Sequence, residues 1–491
     1  MPNKISILHI SDLHKKEQDD FDNLYQSLVT DCQTYTAQRI MKPNVIVVSG
    51  DLICGGRPEE IATQYKESRN FLEKMTGYFL NGDKRRIVIV PGNHDVDWNV
   101  SKSVMQSYPR PALQINDEMT PEQKNEAEGR FKKETDEYGR TMKLYRSGEL
   151  PYHRWNWDMQ ELQFVRDVGA YNKRFEQFAT FYKDFYGEDY PMNPKEQFKL
   201  FDLPDDGFCF VGFNSCFQND HINHSGQIAP QCVTRATSEM QKLKDRVFIG
   251  VWHHNIQGLP IVDNYLDYRA LDALVNMDMR IALHGHQHYS SVVKKYKNVD
   301  DENSYMLVLS TGSLYGTAKI LNYGSARQYN IVEIERNTTE LKLTMHQRED
   351  DNETDYDIPE WVDGEIKGVN KAHWHKTIAI PSLQNEDEQI SQIISDAMNS
   401  GDYMTAIQKL KQFDAGKPEI RGLIINFYTS LKDHRGLIEF IGNPRNYNES
   451  IKILNAALTL NDRDLNNYIR NLEPIKNSTD DTIRQLLINL R

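Results

Sequence analysis

Three short apolar runs near the N-terminus constrain the fold more than any other feature: Lys4–Ile10, Asn44–Val48 and Arg86–Val90. Each is rich in Ile, Leu or Val, and helical patterns over about Phe21–Ile40 and Glu59–Phe79 separate them. Strands apolar on both faces, alternating with helices, predict a sheet covered on both sides. Similar runs recur at Gly207–Asn214, Arg246–Trp252, Arg280–Leu283 and Tyr305–Ser310. Tyr329–Glu335 and Leu341–Met345 alternate apolar and polar residues around a turn at Asn337–Thr339, which predicts a hairpin with one solvated face.

Polar boxes stand where these strands end: Ser11-Asp12-Leu13-His14, Ser49-Gly50-Asp51, Gly92-Asn93-His94-Asp95, Trp252-His253-His254-Asn255 and His284-Gly285-His286-Gln287-His288. In extended chain, residues i and i+2 point to one side, so Asp12 and His14 can reach one ion, as can alternate histidines of the last box. Alone, each box has an ordinary explanation as a turn or a packed histidine. The ordered set, each member after an apolar strand, is where open α/β sheets place their sites. The donors are carboxylates, imidazoles and one amide oxygen, with no thiolate. Such a set suits manganese, iron, zinc or similar divalent ions, and there are donors for two. Asp51, on a glycine turn, is a natural bridge. Two divalent ions against Asp12 and Asp51 leave a positive centre suited to phosphate.

The five boxes resemble the calcineurin-like metallophosphoesterase family, across roughly residues 4 to 345. The resemblance implies a four-layer α-β-β-α sandwich. Carried over residue by residue, it implies one metal on Asp12, His14, Asp51 and His288, and another on Asp51, Asn93, His253 and His286. His254 and His284 are the less favoured histidines of their boxes. Two divalent cofactor ions are expected, manganese first, with iron, zinc, nickel or cobalt as alternatives. The implied reaction is phosphoester hydrolysis by a hydroxide held between the ions. His94 would contact phosphate or protonate the leaving oxygen, and Asp95 would orient His94, unless it merely caps its turn. Residues Asn255 and Ile256 depart from the prolines common after the histidine pair, which leaves that loop's substrate contacts open.

Branch details narrow the substrate. After Gly50-Asp51 the chain reads Leu52-Ile53-Cys54-Gly55-Gly56, unlike the Val-Asp-Arg-Gly of phosphoprotein phosphatases, and without the histidine that repair nucleases place there. The run is similar to the branch named for cyclic-nucleotide phosphodiesterases. The expectation is a phosphodiesterase acting on a nucleotide or related small molecule. The alternatives are a nuclease acting on DNA or RNA, and a scaffold recruiting a partner. An amidohydrolase barrel is excluded because its His-x-His comes early and its Asp late.

The remaining chain sets the expected domains: a catalytic domain over 1–348 with a mostly helical insertion at about 100–200, a linker over 349–385 that starts in an acidic run, and a helical domain over 386–491. The insertion is aromatic-rich and is read as either a substrate wall or an outer helical layer. Ser400-Gly401-Asp402-Tyr403 through Ala406 resembles a tetratricopeptide turn, so a helical repeat that binds a protein partner or self-associates is expected, without a clear period. A net charge of -13 over 491 residues disfavours bulk attraction of long nucleic acid. Five cysteines without a Cys-x-x-Cys, no signal-like N-terminus and no membrane-length apolar run suggest a cytoplasmic protein without a membrane partner.

Overall fold

The structure is a computed structural model. It describes residues 3–490 except 15–20, 244–245, 258–263, 278, 298–304, 317–320, 322–325, 338–339, 352–358, 381–385 and 414. Two compact units divide at Ile380/Pro381. Along the first run β1 (Asn3–Ile10), α1 (Phe21–Gln38), β2 (Val45–Val48), α2 (Pro58–Leu80), β3 (Ile87–Ile89), α3 (Trp98–Val104), β4 (Met105–Ser107), α4 (Pro121–Arg146), β5 (His153–Asn156), β6 (Glu161–Val165), α5 (Val168–Asn172), α6 (Glu176–Tyr186), β7 (Phe198–Leu203), β8 (Phe208–Phe213), α7 (Pro230–Met240), β9 (Val247–Val251), α8 (Tyr268–Asn276), β10 (Met279–His284), β11 (Ser291–Tyr296), β12 (Tyr305–Ser310), β13 (Gln328–Arg336), β14 (Glu340–Asp350), β15 (Trp361–Asp363) and β16 (His373–Ala379).

The strands form two large mixed sheets. One has the order β15-β14-β13-β1-β2-β3, with β16 also on β14. The other has the order β11-β12-β10-β9-β8-β7. Strands β1, β2 and β3 are parallel, as are β8, β9, β10 and β12, so their C-terminal ends gather along one edge of each sheet. Alternation assigns the faces. Leu8, Ile10, Ile46 and Val48 pack under α1, α2 and α6 through Leu28, Phe71, Leu72 and Phe178. Val211, Phe213, Ala282 and Val308 pack under α7 and α8 through Ala236 and Leu274. The opposite positions, such as Ile5, Ile7, Val45, Val47, Phe210, Ile249 and Leu307, are equally buried between the sheets. The sheets meet where Gly212 leaves 3.0 Å between Val90 Cγ1 and the place a Cβ would occupy. This is the four-layer sandwich that the resemblance implied.

The structure adds elements to this outline and corrects the linker. The insertion is mostly helical, as expected, but also carries a three-stranded antiparallel sheet, β4-β6-β5, between α3 and α5. Tyr152 to Trp155 lies in and beside β5 because its aromatics suit a pleated ribbon, with His153 opposite Phe164 and their rings 5.8 Å apart. Helix α6 is outer layer, since Phe178, Phe181, Tyr182 and Phe185 at i, i+3, i+4 and i+7 all enter the core. Strands β7 and β11 extend the second sheet on both edges. Much of the supposed linker is sheet. Trp361 in β15 packs on Tyr329 (4.7 Å between rings) and its indole donates to Ser27 Oγ (2.9 Å), while Arg348 bonds Asp31 and Asp363. β16 pairs with β14 from Glu340 to His346. Most of the acidic run, 352–355, lies outside the described residues, as do 338–339 of the expected hairpin turn.

The second unit is all helix: α9 (Glu386–Ser400), α10 (Tyr403–Leu410), α11 (Pro418–Leu431), α12 (His434–Ile441), α13 (Tyr447–Leu460), α14 (Arg463–Arg470), α15 (Glu473–Lys476) and α16 (Asp481–Asn489). A long helix precedes a short one three times. Each short helix starts at an Asp N-cap: Asp402 accepts from Thr405 N, Asp433 from Gly436 N, and Asp462 from Asp464 and Leu465 N. Each Asp follows a residue in left-handed backbone: Gly401, Lys432 or Asn461. Ile407, Ile424, Leu437, Leu454 and Ile469 share one buried cluster. No helix among the described residues is long and apolar enough to cross a membrane.

Candidate metal centre

The sandwich brings the five boxes to one place because each follows the C-terminal end of a parallel strand: β1, β2, β3, β9 and β10. Tight turns aim the donors. Asp12, His14, Asp51, His286 and His288 all have φ between 43° and 69°, left-handed backbone that costs a non-glycine residue about 1–2 kcal/mol. Backbone bonds lock these turns together: Asp12 N donates to Gly50 O (3.1 Å), His14 N to Asp51 O (3.2 Å) and His286 N to Asp12 Oδ2 (3.0 Å). Gly50, at φ 98°, is required twice, since a Cβ there would stand 2.6 Å from His253 Nδ1.

The side chains form two linked sets. In the first, Asp12 Oδ1 lies 3.2 Å from His288 Nε2 and 3.5 Å from His14 Nε2, and the two imidazole nitrogens are 3.4 Å apart. In the second, His253 Nε2 faces Asn93 Oδ1 (3.0 Å), Asp51 Oδ2 (3.2 Å) and His286 Nδ1 (3.2 Å). Asp51 Oδ2 is also 4.0 Å from His14 Nε2, so one carboxylate oxygen reaches toward both sets. All seven residues expected as ligands are therefore together. His254 and His284 point elsewhere: His254 Nδ1 pairs with Ser215 Oγ (2.9 Å) and His284 Nδ1 with Gly285 O (2.9 Å).

His94 is partly exposed beside the first set, its ring 4.7 Å from His14. Its backbone N donates to Asp51 Oδ1 (2.9 Å) and its Nδ1 donates to Cys54 O (3.1 Å), which leaves Nε2 as the outward nitrogen. The expectation that Asp95 orients His94 is corrected. Asp95 is buried and accepts from Gly92 N (2.8 Å), Leu52 N (3.3 Å) and Tyr65 Oη (3.0 Å), so it braces the turn while the Cys54 carbonyl aims the ring. Backbone carbonyls have no residue signature, so sequence could not reveal this partner.

Electrostatics match a cation site. Burial alone would raise Asp12, yet His288, His14 and His253 hold it well below the usual carboxylate range, and Asp51 is likewise depressed by His253 and His94. Burial opposes a proton on His253, but Asp51 and Asp12 outweigh it and raise it to about 9. Burial and His253 push neighbouring His286 down to about 3. Burial, with Asp51 nearby, lifts Asp95 to about 7. Among the described residues the ion pairs of Asp12 and Asp51 are all with histidine, never Lys or Arg. Thus His253 Nε2 has three acceptors around it and Asp12 Oδ1 is buried without a hydrogen bond. Converging lone pairs of this N/O type fit divalent ions: Asp12, His14 and His288 can hold one, and Asp51, His253 and His286, with Asn93, another.

Helix α3, which begins four residues beyond His94, packs against a clamped segment that the sequence did not point to. The segment from Asn214 to Gly226 connects β8 to α7. Two buried arginines of the insertion clamp it. Arg154 bonds Asp220 Oδ2 (3.0 Å) and Gln218 O (3.1 Å), and Arg174 bonds Asn219 O (3.2 Å) and Cys216 O (3.4 Å). Tyr171 Oη also donates to Asp220 (2.8 Å). The segment leans on α3, where His221 Nδ1 meets Ser101 Oγ (3.0 Å) and exposed His224 stacks on Trp98, 5.2 Å between centroids and 3° from parallel. Asn99 ties α3 to Gly56 O (3.0 Å) in the loop that holds Cys54.

Residues 5–290 match the family described as calcineurin-like phosphoesterase. The chain belongs to that family, whose chemistry is metal-dependent phosphoester hydrolysis. Similar solved structures include TT1561 of Thermus thermophilus (10% identity, 67% of this chain and 93% of that one, TM-score 0.30). Others are a single mutant of Vps29 from Entamoeba histolytica (10%, 77% and 99%, 0.25) and the calcineurin-like phosphoesterase YfkN from Bacillus subtilis (10%, 81% and 98%, 0.26). No curated protein matches the sequence significantly.

Proposed function

We propose that the protein is a dinuclear phosphodiesterase acting on a nucleotide or similar small phosphodiester. The observation that carries this reading is the pair of donor sets joined by Asp51, with His94 beside them. Asp12, His14, Asp51 and His288 would hold one ion, and Asp51, Asn93, His253 and His286 the other, manganese being the first candidate. Bound divalent ions supply Lewis-acid activation of water and stabilise charge on the phosphoryl oxygens. His94, its Nδ1–H fixed on Cys54 O, presents Nε2 to donate to a phosphoryl oxygen or to the leaving oxygen. Asp95 keeps the Asn93-His94 turn in place from below.

The Trp98–His224 stack supports a nucleotide-like leaving group. His224 is exposed and stacked on Trp98, and the buried Trp98 indole N–H has no acceptor among the described residues. Such a face stacks a base with about 1–3 kcal/mol. The test is metal analysis together with hydrolysis of bis-p-nitrophenyl phosphate, followed by a panel of cyclic nucleotides, dinucleotides, single-stranded DNA and RNA. Cyclic nucleotides or dinucleotides should be cleaved fastest, and Trp98→Ala should raise KM for them more than for bis-p-nitrophenyl phosphate. Faster cleavage of polymers would instead establish a nuclease.

A further inference from the structure

Two histidines outside the metal centre meet where β14 pairs with β16. His346 lies opposite Ile331 on one side and His373 on the other, so all three share the helix-covered face of the first sheet. The two Nδ1 atoms are 3.0 Å apart. His346 is buried, and His373 is exposed. Each ring turns its other nitrogen to a carboxylate: His346 Nε2 is 3.4 Å from Glu333 Oε2, and His373 Nε2 is 3.2 Å from Asp363 Oδ2. Both carboxylates are held from behind. Glu333 accepts from Met41 N (2.9 Å) and pairs with Lys4 (3.1 Å), and Asp363 pairs with Arg348. Burial would raise Glu333, but His346, Met41 N and Lys4 outweigh it and lower it to about 2. A proton count exposes a shortage. Ionised carboxylates only accept, so the Nε2 of each ring carries a hydrogen. Two neutral rings have no further proton, and their Nδ1 lone pairs then face each other.

We propose that His346 and His373 form a separate metal site, which takes one Ni2+ or Cu2+ ion between their Nδ1 atoms. A cation there resolves the shortage, because each lone pair becomes a ligand. Histidine ligands ordinarily donate their far N–H to a carboxylate, and here both rings have one in place. The spacing selects the ion. Two nitrogens 3.0 Å apart, each ~2.0–2.1 Å from one metal, subtend roughly 95°. That near-right angle belongs to tetragonal nickel or copper rather than to a tetrahedral site. Exposure of His373 leaves room for water to complete the coordination. None of the seven donors of the metal centre takes part. The bound ion would pin β16, the last strand of its unit, to β14.

The test soaks crystals of the full chain in Ni2+ and reads anomalous scattering at the nickel edge, which locates each ion. A peak between His346 and His373 is expected whether or not the metal centre also fills, so the outcome does not depend on the hydrolysis assignment. In solution, equilibrium dialysis should count one Ni2+ fewer per chain for His373→Ala than for wild type. Asp363→Asn should weaken binding of that ion about tenfold by removing the charge behind His373. Absence of a peak between the rings overturns the proposal and leaves a shared proton as the cation between them. Equal Ni2+ counts in wild type and a folded His373→Ala also overturn it. Should His373→Ala fail to fold, the anomalous map of the wild type decides alone.

Discussion

The two units use the same unfavourable backbone conformation for different ends. In the sandwich, five residues forced into the left-handed region are donors of the metal centre: Asp12, His14, Asp51, His286 and His288. In the helical unit the non-glycine residues held there are Lys432 and Asn461, which end long helices before an Asp cap. Glycine would relieve the strain in both places. In the helical unit nothing forbids it, and Gly401 already occupies the equivalent turn. At the metal centre a glycine would remove the donor itself. There the strain is held in place by inter-loop hydrogen bonds and is a cost of aiming seven side chains inward.

Substitutions can break this comparison, beginning with the largest effect. Asp51→Asn should lower phosphoester hydrolysis by about 10²–10³-fold, because it weakens the charge shared by both donor sets. Circular dichroism should show unchanged helix content, and loss of the fold instead would make Asp51 a structural residue. Next comes acid. Burial, with help from His284, holds His9 near a pKa of about 3, against 6.5 when unfolded. His9 is therefore neutral in the fold, and the unfolded chain takes up its proton below pH 6.5. Its contribution to stability is complete above that pH and is lost as pH falls toward 3. Urea midpoints of the metal-free protein should decline over that window, and His9→Asn should flatten the decline.

The helical unit should respond more modestly. Asp433→Ala should cost about 1 kcal/mol of its stability by freeing the Gly436 N–H, with hydrolysis unchanged. A change in hydrolysis would show that this unit shapes the metal centre. Lys432→Gly should stabilise the unit by roughly 0.5–1 kcal/mol, read as a raised melting temperature. Destabilisation would mean that the Lys432 side chain contributes more than its backbone costs.

How much of this was legible depends on which signal carried it. The five boxes were readable because chemistry restricts metal ligands to a few residue types and strand periodicity located the ends on which they sit, while the choice of seven candidate donors within them came from the family resemblance. Partners made by backbone were not readable: Cys54 O for His94 and the carbonyls gripped by Arg154 and Arg174 leave no trace in residue identity. Strands β15 and β16 were missed because they follow an acidic run that reads as a boundary, and β15 has only three residues. Trp361 and the alternation of His373-Trp374-His375 were the available cues. The long–short alternation of helices was hidden because its mark is an Asp cap at 402, 433 and 462, weaker than any apolar pattern.

The clamp by Arg154 and Arg174 has an energetic meaning. Guanidiniums sunk among carbonyls cannot let go without stranding buried charge, so the 214–226 segment is costly to displace. Its ordering is complete once the chain has folded, before any substrate arrives. The cost of shaping that segment is thus met during folding rather than on binding.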